Sequence, residues 1–372
     1  MKKIFFLGAG VLFSFMGRAQ VVPLRAANWD FMPGAVEFGG GPAGVGADGG
    51  QMKIVGPGYV VLKNVDFADG TIEFDDQPMN ENFNSFFFHF QDSLENEIFY
   101  FRTARGVGHP NAREGVQYAP MVKGVNCWNV MDHYQGFATF GNKAPNHVKL
   151  VISGKQMRVY VNSQRQPTLE IPRLEGNTTH GTLAFRGEAI ISHLVLRRGQ
   201  VEGLESREGP DPTSNDSRYI RHWQVTKADT IPAPMDFTMA LYPGKETVWS
   251  PLDAERRGFV NLTRLYGGGY PRHHIAFLKT TIHADSARQV TMRLGFLDEV
   301  WVFLNGEWAY VDKNLFQSPI AKVPKGRMSL ENAMLRLPLK RGDNELVIGV
   351  GNNFFGWGIM ARLDDIEGIT LE

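Results

Sequence analysis

Cysteine is almost missing from this chain: Cys127 is the one thiol in 372 residues, so no intramolecular disulfide can form. A core of this size stands without one, in an oxidising compartment or a reducing one. A lone cysteine of this kind reads as a small buried hydrophobe rather than a nucleophile. Charge of one sign is missing too. Lys+Arg and Asp+Glu both number 39, a formal net charge of +0. Such a balance sets up no field for nucleic acid or an anionic membrane, so neither is expected as a partner. Beyond the N-terminus no apolar run approaches the ~20 residues of a membrane span, so a membrane-embedded protein is not expected.

Signatures of common chemistries are also lacking. No His-Glu-x-x-His occurs, His89, His109 and His133 are scattered, and the adjacent His273 and His274 would diverge on a strand. The runs Gly39-Gly40-Gly41 and Gly267-Gly268-Gly269 lack the Lys-Ser/Thr of a phosphate loop and read as turns. No Gly-x-Ser-x-Gly elbow is present. No cofactor is therefore expected. A structural calcium held by loop oxygens stays open, with no ligand set placed by the sequence.

What is present begins with a three-part N-terminus. Lys2 and Lys3 are basic, residues 4–16 are apolar apart from small residues and Ser14, and Gly17 and Ala19 supply small side chains at −3 and −1. This is the pattern of a secretory signal peptide over residues 1–19, with a mature start at Gln20 and a secreted or periplasmic location. The alternative is an uncleaved N-terminal anchor, which the short apolar run does not favour.

With 26 Phe, 41 Gly and 20 Pro, the rest reads as strands and turns. Strands are expected near residues 58–62, 70–75, 85–91, 98–103, 147–153, 156–161, 181–185 and 190–197. Alternation puts Phe86, Phe88 and Phe90 on one face and Phe87, His89 and Gln91 on the other. Phe99 and Phe101 then oppose Tyr100 and Arg102. One greasy face should pack on a second sheet, leaving a mixed face for water or ligand. A polar stretch with Pro210 and Pro212 spans residues 199–217 and reads as a linker that buries almost nothing. After it, strands are expected near 275–282, 289–296, 299–304 and 345–349, with Asn305-Gly306 as a type I′ hairpin. The expectation is an all-β protein: two β-sandwich (jelly-roll) domains, 22–198 and 218–372, joined by that polar linker.

Particular residues carry a resemblance. Phe99-Tyr100-Phe101-Arg102, Gln117-Tyr118, Trp128, Tyr134, residues 147–154, Met157-Arg158-Val159-Tyr160-Val161-Asn162 and Gln166-Pro167-Thr168-Leu169 resemble the laminin G-like and concanavalin A-like jelly rolls of exported bacterial proteins. Those include the domain family named for 3-keto-disaccharide hydrolases. Ile220-Arg221-His222-Trp223, Val300 to Gly306, Gly342 to Ile348 and Phe355-Gly356-Trp357-Gly358 resemble a galactose-binding-like jelly roll. The resemblance implies a carbohydrate partner, and says more of fold than of activity.

Concanavalin A-like glucanases carry alternating carboxylates on one strand. Here Glu73 and Asp75 share a face, but Gln77 follows them, so the third carboxylate is missing. Sugars offer flat C–H faces to aromatics and hydroxyls to Arg, Gln and His. Tyr100, Arg102, Gln117, Tyr118 and Trp128 form the candidate ligand-binding set on that ground, with His89 and Gln91 beside them. Three readings follow. The first is an exported carbohydrate-binding or accessory protein. The second is a glycoside hydrolase-like enzyme acting on an unusual keto-disaccharide or glycan, with Glu73, Asp75, His89 or Glu114 as acid–base groups. The third is a structural or adhesion module.

Overall fold

The computed structural model describes residues 19–32, 44–48, 50–106, 112–141, 143–162, 164–231, 236–268 and 273–371. Residues 1–18 of the expected signal peptide, the Gly39–Gly41 turn and His109 fall outside these residues. The regular structure of the described residues is nearly all strand, and its sheets are antiparallel.

Two sheets form a first sandwich. One runs in the order Leu169–Ile171, Gln156–Val161, Asn146–Ser153, Gly70–Pro78, Ala189–Arg198, Gln51–Val55 and Gly44–Asp48. The other runs Val125–Asn126, Val116–Val122, Asn96–Arg102, Phe83–Phe90, Thr182–Arg186, Tyr59–Leu62 and Trp29–Met32, with Gln135–Gly136 paired outside Val116–Val122. Phe74, Leu150 and Val159 of the first meet Phe86, Phe88, Phe99, Phe101 and Tyr118 of the second in one core. The first sheet alternates as a half-buried sheet should, and its outer face carries Glu73, Asp75 and Gln77. Cys127 lies fully buried in this core, and burial pushes its thiol pKa up.

The second sheet departs from the expected pattern: Asn96–Arg102 and Val116–Val122 are buried along their whole length. The outward side holds its own apolar cluster of Tyr59, Phe87, Phe90, Ile98, Tyr100 and Trp128, on which Phe316 and Phe355 pack. The face expected to meet water is therefore covered by side chains from more than 180 positions downstream.

One strand also changes its facing. His89 has φ 46, and the register between Phe83–Phe90 and Thr182–Arg186 shifts at this point. Such a bulge adds one residue and reverses the alternation beyond it. Phe90 consequently joins Phe87 and Tyr59 on the outward side instead of Phe86 and Phe88.

Two further sheets form a second sandwich. Ser250–Asp253, His222–Val225, His273–Ala284, Gly342–Asn352, Glu299–Leu304 and Glu307–Lys313 make one, and Phe259–Asn261, Gly358–Leu363, Arg288–Leu297 and Ala333–Leu339 the other. Leu278, Val302, Ile348, Met292, Leu337 and Ile359 fill the space between them. The Asn305-Gly306 turn has φ 54 and 80, as a type I′ hairpin requires.

The sandwiches pack directly on each other. Phe259, Leu297 and Met328 enter the core of the first. Asn129 Nδ2 donates to Gly356 O at 3.0 Å, and Arg264 Nη2 donates to Glu175 O at 2.7 Å. The polar stretch 199–217 is held as well. Leu204 is 6% exposed, Lys155 N donates to Ser206 O at 3.0 Å, and Arg256 Nη1 donates to Gly209 O at 2.7 Å. The expectation that it buries almost nothing fails at Leu204.

Candidate functional site

Alternation along Asn96–Arg102 puts Tyr100 and Arg102 on one side, and pairing sets Gln117 opposite Tyr100. The three are joined by hydrogen bonds. Tyr100 Oη donates to Gln117 Oε1 at 2.9 Å, and Arg102 Nη2 donates to Tyr100 Oη at 3.0 Å and to Gln117 Oε1 at 2.5 Å. Gln117 Nε2 donates to Trp128 O at 2.8 Å, fixing the turn that carries the indole. The Arg102 guanidinium sits over the rings of Phe83, Tyr100 and Trp128 at 5.9, 5.2 and 5.7 Å. Three ring faces attract a cation that has no carboxylate in contact among the described residues. Burial lowers the Arg102 pKa from its ordinary value, opposed by Tyr100.

Four of the candidate ligand-binding residues are thus brought together, but not as an open groove: Arg102 is 7% exposed and Gln117 0%. The other three lie elsewhere. Tyr118 points into the core between the sheets, donates to Glu97 Oε2 at 2.7 Å and accepts from Glu175 N. His89, turned by its bulge, is fully buried, with Nε2 2.8 Å from Ala68 O. Gln91 stands at the exposed end of its strand and donates to His180 O.

The acid–base candidates are each engaged. Glu73 pairs with Arg197 at 2.6 Å. Asp75 lies between His147 and His193, each at 2.8 Å. Among the described residues no cluster of His, Cys, Asp or Glu is arranged to hold a metal ion. Burial pushes the Glu114 carboxyl up, but hydrogen bonds from Lys325 and Arg327 outweigh it and hold the pKa at about 2.

An open groove does exist next to the buried cluster. Gln135 pairs in register with Gln117, which continues the row Tyr100–Gln117 one strand outward to the edge of the sheet. Gln135, Gly136 and Phe137 form one wall, and Gln164, Arg165, Gln166, Pro167 and Thr168 the other, around about 530 Å³. The second wall is the loop that turns Gln156–Val161 into Leu169–Ile171. Thr168 Oγ1 accepts from Val161 N at 3.0 Å and donates to Gln164 Oε1 at 2.8 Å, which orders the loop. Gly136 is needed where the walls meet, because a Cβ there would lie 2.5 Å from Thr168 O. Phe137 is 54% exposed, and no carboxylate lines the space. An exposed ring beside amides and a guanidinium can stack on an apolar face and bond to hydroxyls, but it has no acid–base pair.

No periodic pattern in the sequence marks this groove. Phe137 is one of 26 Phe, and its exposure depends on a two-residue edge strand with no pattern of its own. The polar run Gln164-Arg165-Gln166-Pro167 between two strands was the available signal.

No protein family matches the chain, and no curated protein matches it. Solved structures of similar shape were found. A carbohydrate binding module, CBM66 from Bacillus subtilis, is 11% identical, covers 44% of this chain and 91% of its own, and has a TM-score of 0.32. A protein of unknown function with a galectin-like fold, also from Bacillus subtilis, is 14% identical over 49% of this chain and 98% of its own, with a TM-score of 0.32. The exoplasmic/lumenal domain of VIP36, in a Ca²⁺/Man3GlcNAc-bound form, is 9% identical over 51% and 94%, with a TM-score of 0.34. At these values the likeness assigns no ligand or activity to this chain.

Proposed function

We propose that this is an exported protein that binds carbohydrate without turning it over, and that the groove between Gln135–Phe137 and Gln164–Thr168 is its contact surface. The observation that carries this reading is Phe137, an exposed aromatic ring framed by Gln164, Arg165 and Gln166 in a space without carboxylates. A sugar ring would stack its C–H face on Phe137 and give its hydroxyls to the amide and guanidinium donors. In this reading Tyr100, Arg102, Gln117 and Trp128 support the groove from behind and do not touch the ligand. Binding without hydrolysis is favoured because Glu73 and Asp75 face away on the other sheet, tied to Arg197, His147 and His193. Export rests on the three-part N-terminus.

The test is affinity electrophoresis of the mature chain in gels containing xylan, laminarin, mannan, starch, pectic galactan or polygalacturonate. At least one should retard the protein, without release of reducing ends. Retardation by none of them, or release of reducing ends, would overturn the proposal.

A further inference from the structure

We infer that Arg327, carried by the second sandwich, is a positioning residue for the groove of the first; the inference rests on the reading of that groove as a binding surface. The wall that presents Phe137 is held weakly by its own backbone. Gln135–Gly136 pairs with Val116–Val122 at only two positions, and a strand that short has little ladder to resist fraying. Side-chain anchors add to it: one is Asp132 of the same sandwich, and the other, Arg327, comes from the second sandwich.

Arg327 is 6% exposed and reaches three groups of the first sandwich. Nη2 donates to Glu114 Oε2 at 3.0 Å, and Nη1 donates to Asp132 Oδ1 at 3.3 Å and to Gln135 Oε1 at 3.4 Å. Gln135 Nε2 in turn donates to Asp132 Oδ1 at 2.5 Å, so Arg327, Asp132 and Gln135 close a ring of hydrogen bonds at the root of the Phe137 wall. The guanidinium also lies over the Trp128 ring, 5.3 Å from its centroid.

The arginine is itself rigidly held. Asn314 Nδ2 and Asn332 Nδ2 both donate to Arg327 O, at 3.2 and 3.0 Å. The next residue, Met328, donates its backbone N–H to Asn129 O at 3.0 Å and buries its side chain in the first core. Lysine could keep the Glu114 contact but has no planar fork to span Asp132 and Gln135 together. The second sandwich thereby acts as a buttress that sets where Gln135, and with it Phe137, stands.

The test compares Arg327→Met and Arg327→Lys with Arg264→Met, which removes a different anchor between the sandwiches. Amide hydrogen exchange at residues 135–137 is measured in the free protein. Retardation is measured in the polysaccharide gels named above. Arg327→Met should speed exchange at 135–137 several-fold and weaken binding by about five-fold, the loss of one or two hydrogen bonds. Arg327→Lys should fall between it and the parent. Arg264→Met should leave both readouts at 135–137 and in the gel unchanged. Unchanged exchange in Arg327→Met overturns the inference, as does faster exchange with unaltered binding. If no polysaccharide retards even the parent protein, the binding reading falls, and exchange still decides whether Arg327 positions this wall.

Discussion

Arg102 donates a hydrogen bond to Gln117 Oε1 on a sheet face from which water is almost excluded. The pair is a strut beneath Trp128, whose carbonyl Gln117 also holds. Arg102→Met keeps the stem and removes the charged donor. The loss should be about 1.5–3 kcal/mol, the usual cost of a hydrogen bond to a charged group. It approaches the ~3–5 kcal/mol of the core cavity in Phe101→Ala. Thermal melts of both variants check this. An Arg102→Met melting temperature equal to the parent's would restore Arg102 to a solvent-facing role.

Glu97 gives a pH dependence with a definite sign. It is fully buried between the sheets, and burial raises its carboxyl from 4.5 to about 8 despite the Tyr118 hydrogen bond. A raised acid is protonated in the folded state and ionised in the unfolded one between those values. Its contribution is therefore complete below pH 4.5 and is lost as pH rises through about 8. Asp76 and Asp298, both raised by burial to about 7, act in the same sense at lower pH. Glu97→Gln, neutral throughout, should flatten the fall in stability between about pH 7 and 8. Denaturant melts across that interval check it, and an unchanged slope would mean that Glu97 is ionised in the fold.

Limited proteolysis separates a loose connection from a held one. Lys245 is exposed in a turn, whereas the carbonyls of Ser206 and Arg207 accept hydrogen bonds from Lys155 N and Gln156 Nε2. Trypsin should cut after Lys245 before it cuts after Arg207, because cleavage needs a local opening. Mass spectrometry of the first fragments checks the order. Early release of two halves at Arg207 would show the stretch to be as loose as its composition suggests.

Much of the architecture was legible in the sequence because it depends on local periodicity. Gln156–Val161 stands where alternation puts it, Glu299–Leu304 stands where its apolar, β-favouring residues put it, and Asn305-Gly306 takes the positive φ values its residue types favour. The facing of Tyr100 against Phe99 and Phe101 also follows from period two. What failed depends on distant contacts or a single backbone angle. Nothing near Tyr100 announces that Phe316 and Phe355 will cover it. His89 carries no turn signal, yet its φ of 46 reverses Phe90. The groove needs Gly136 to approach Thr168, a meeting of segments that no pattern in either one encodes.

The most direct measurement on the central claim is the affinity of Phe137→Ala for whichever gel polysaccharide retards the parent, alongside its melting temperature. A ring that is 54% exposed supports little of the fold, so melting should stay within about 0.5 kcal/mol of the parent. Loss of the apolar contact of this half-exposed ring, about 1–2 kcal/mol, should weaken binding by roughly five- to thirty-fold. Unaltered binding in Phe137→Ala would contradict the claim that this groove meets the sugar.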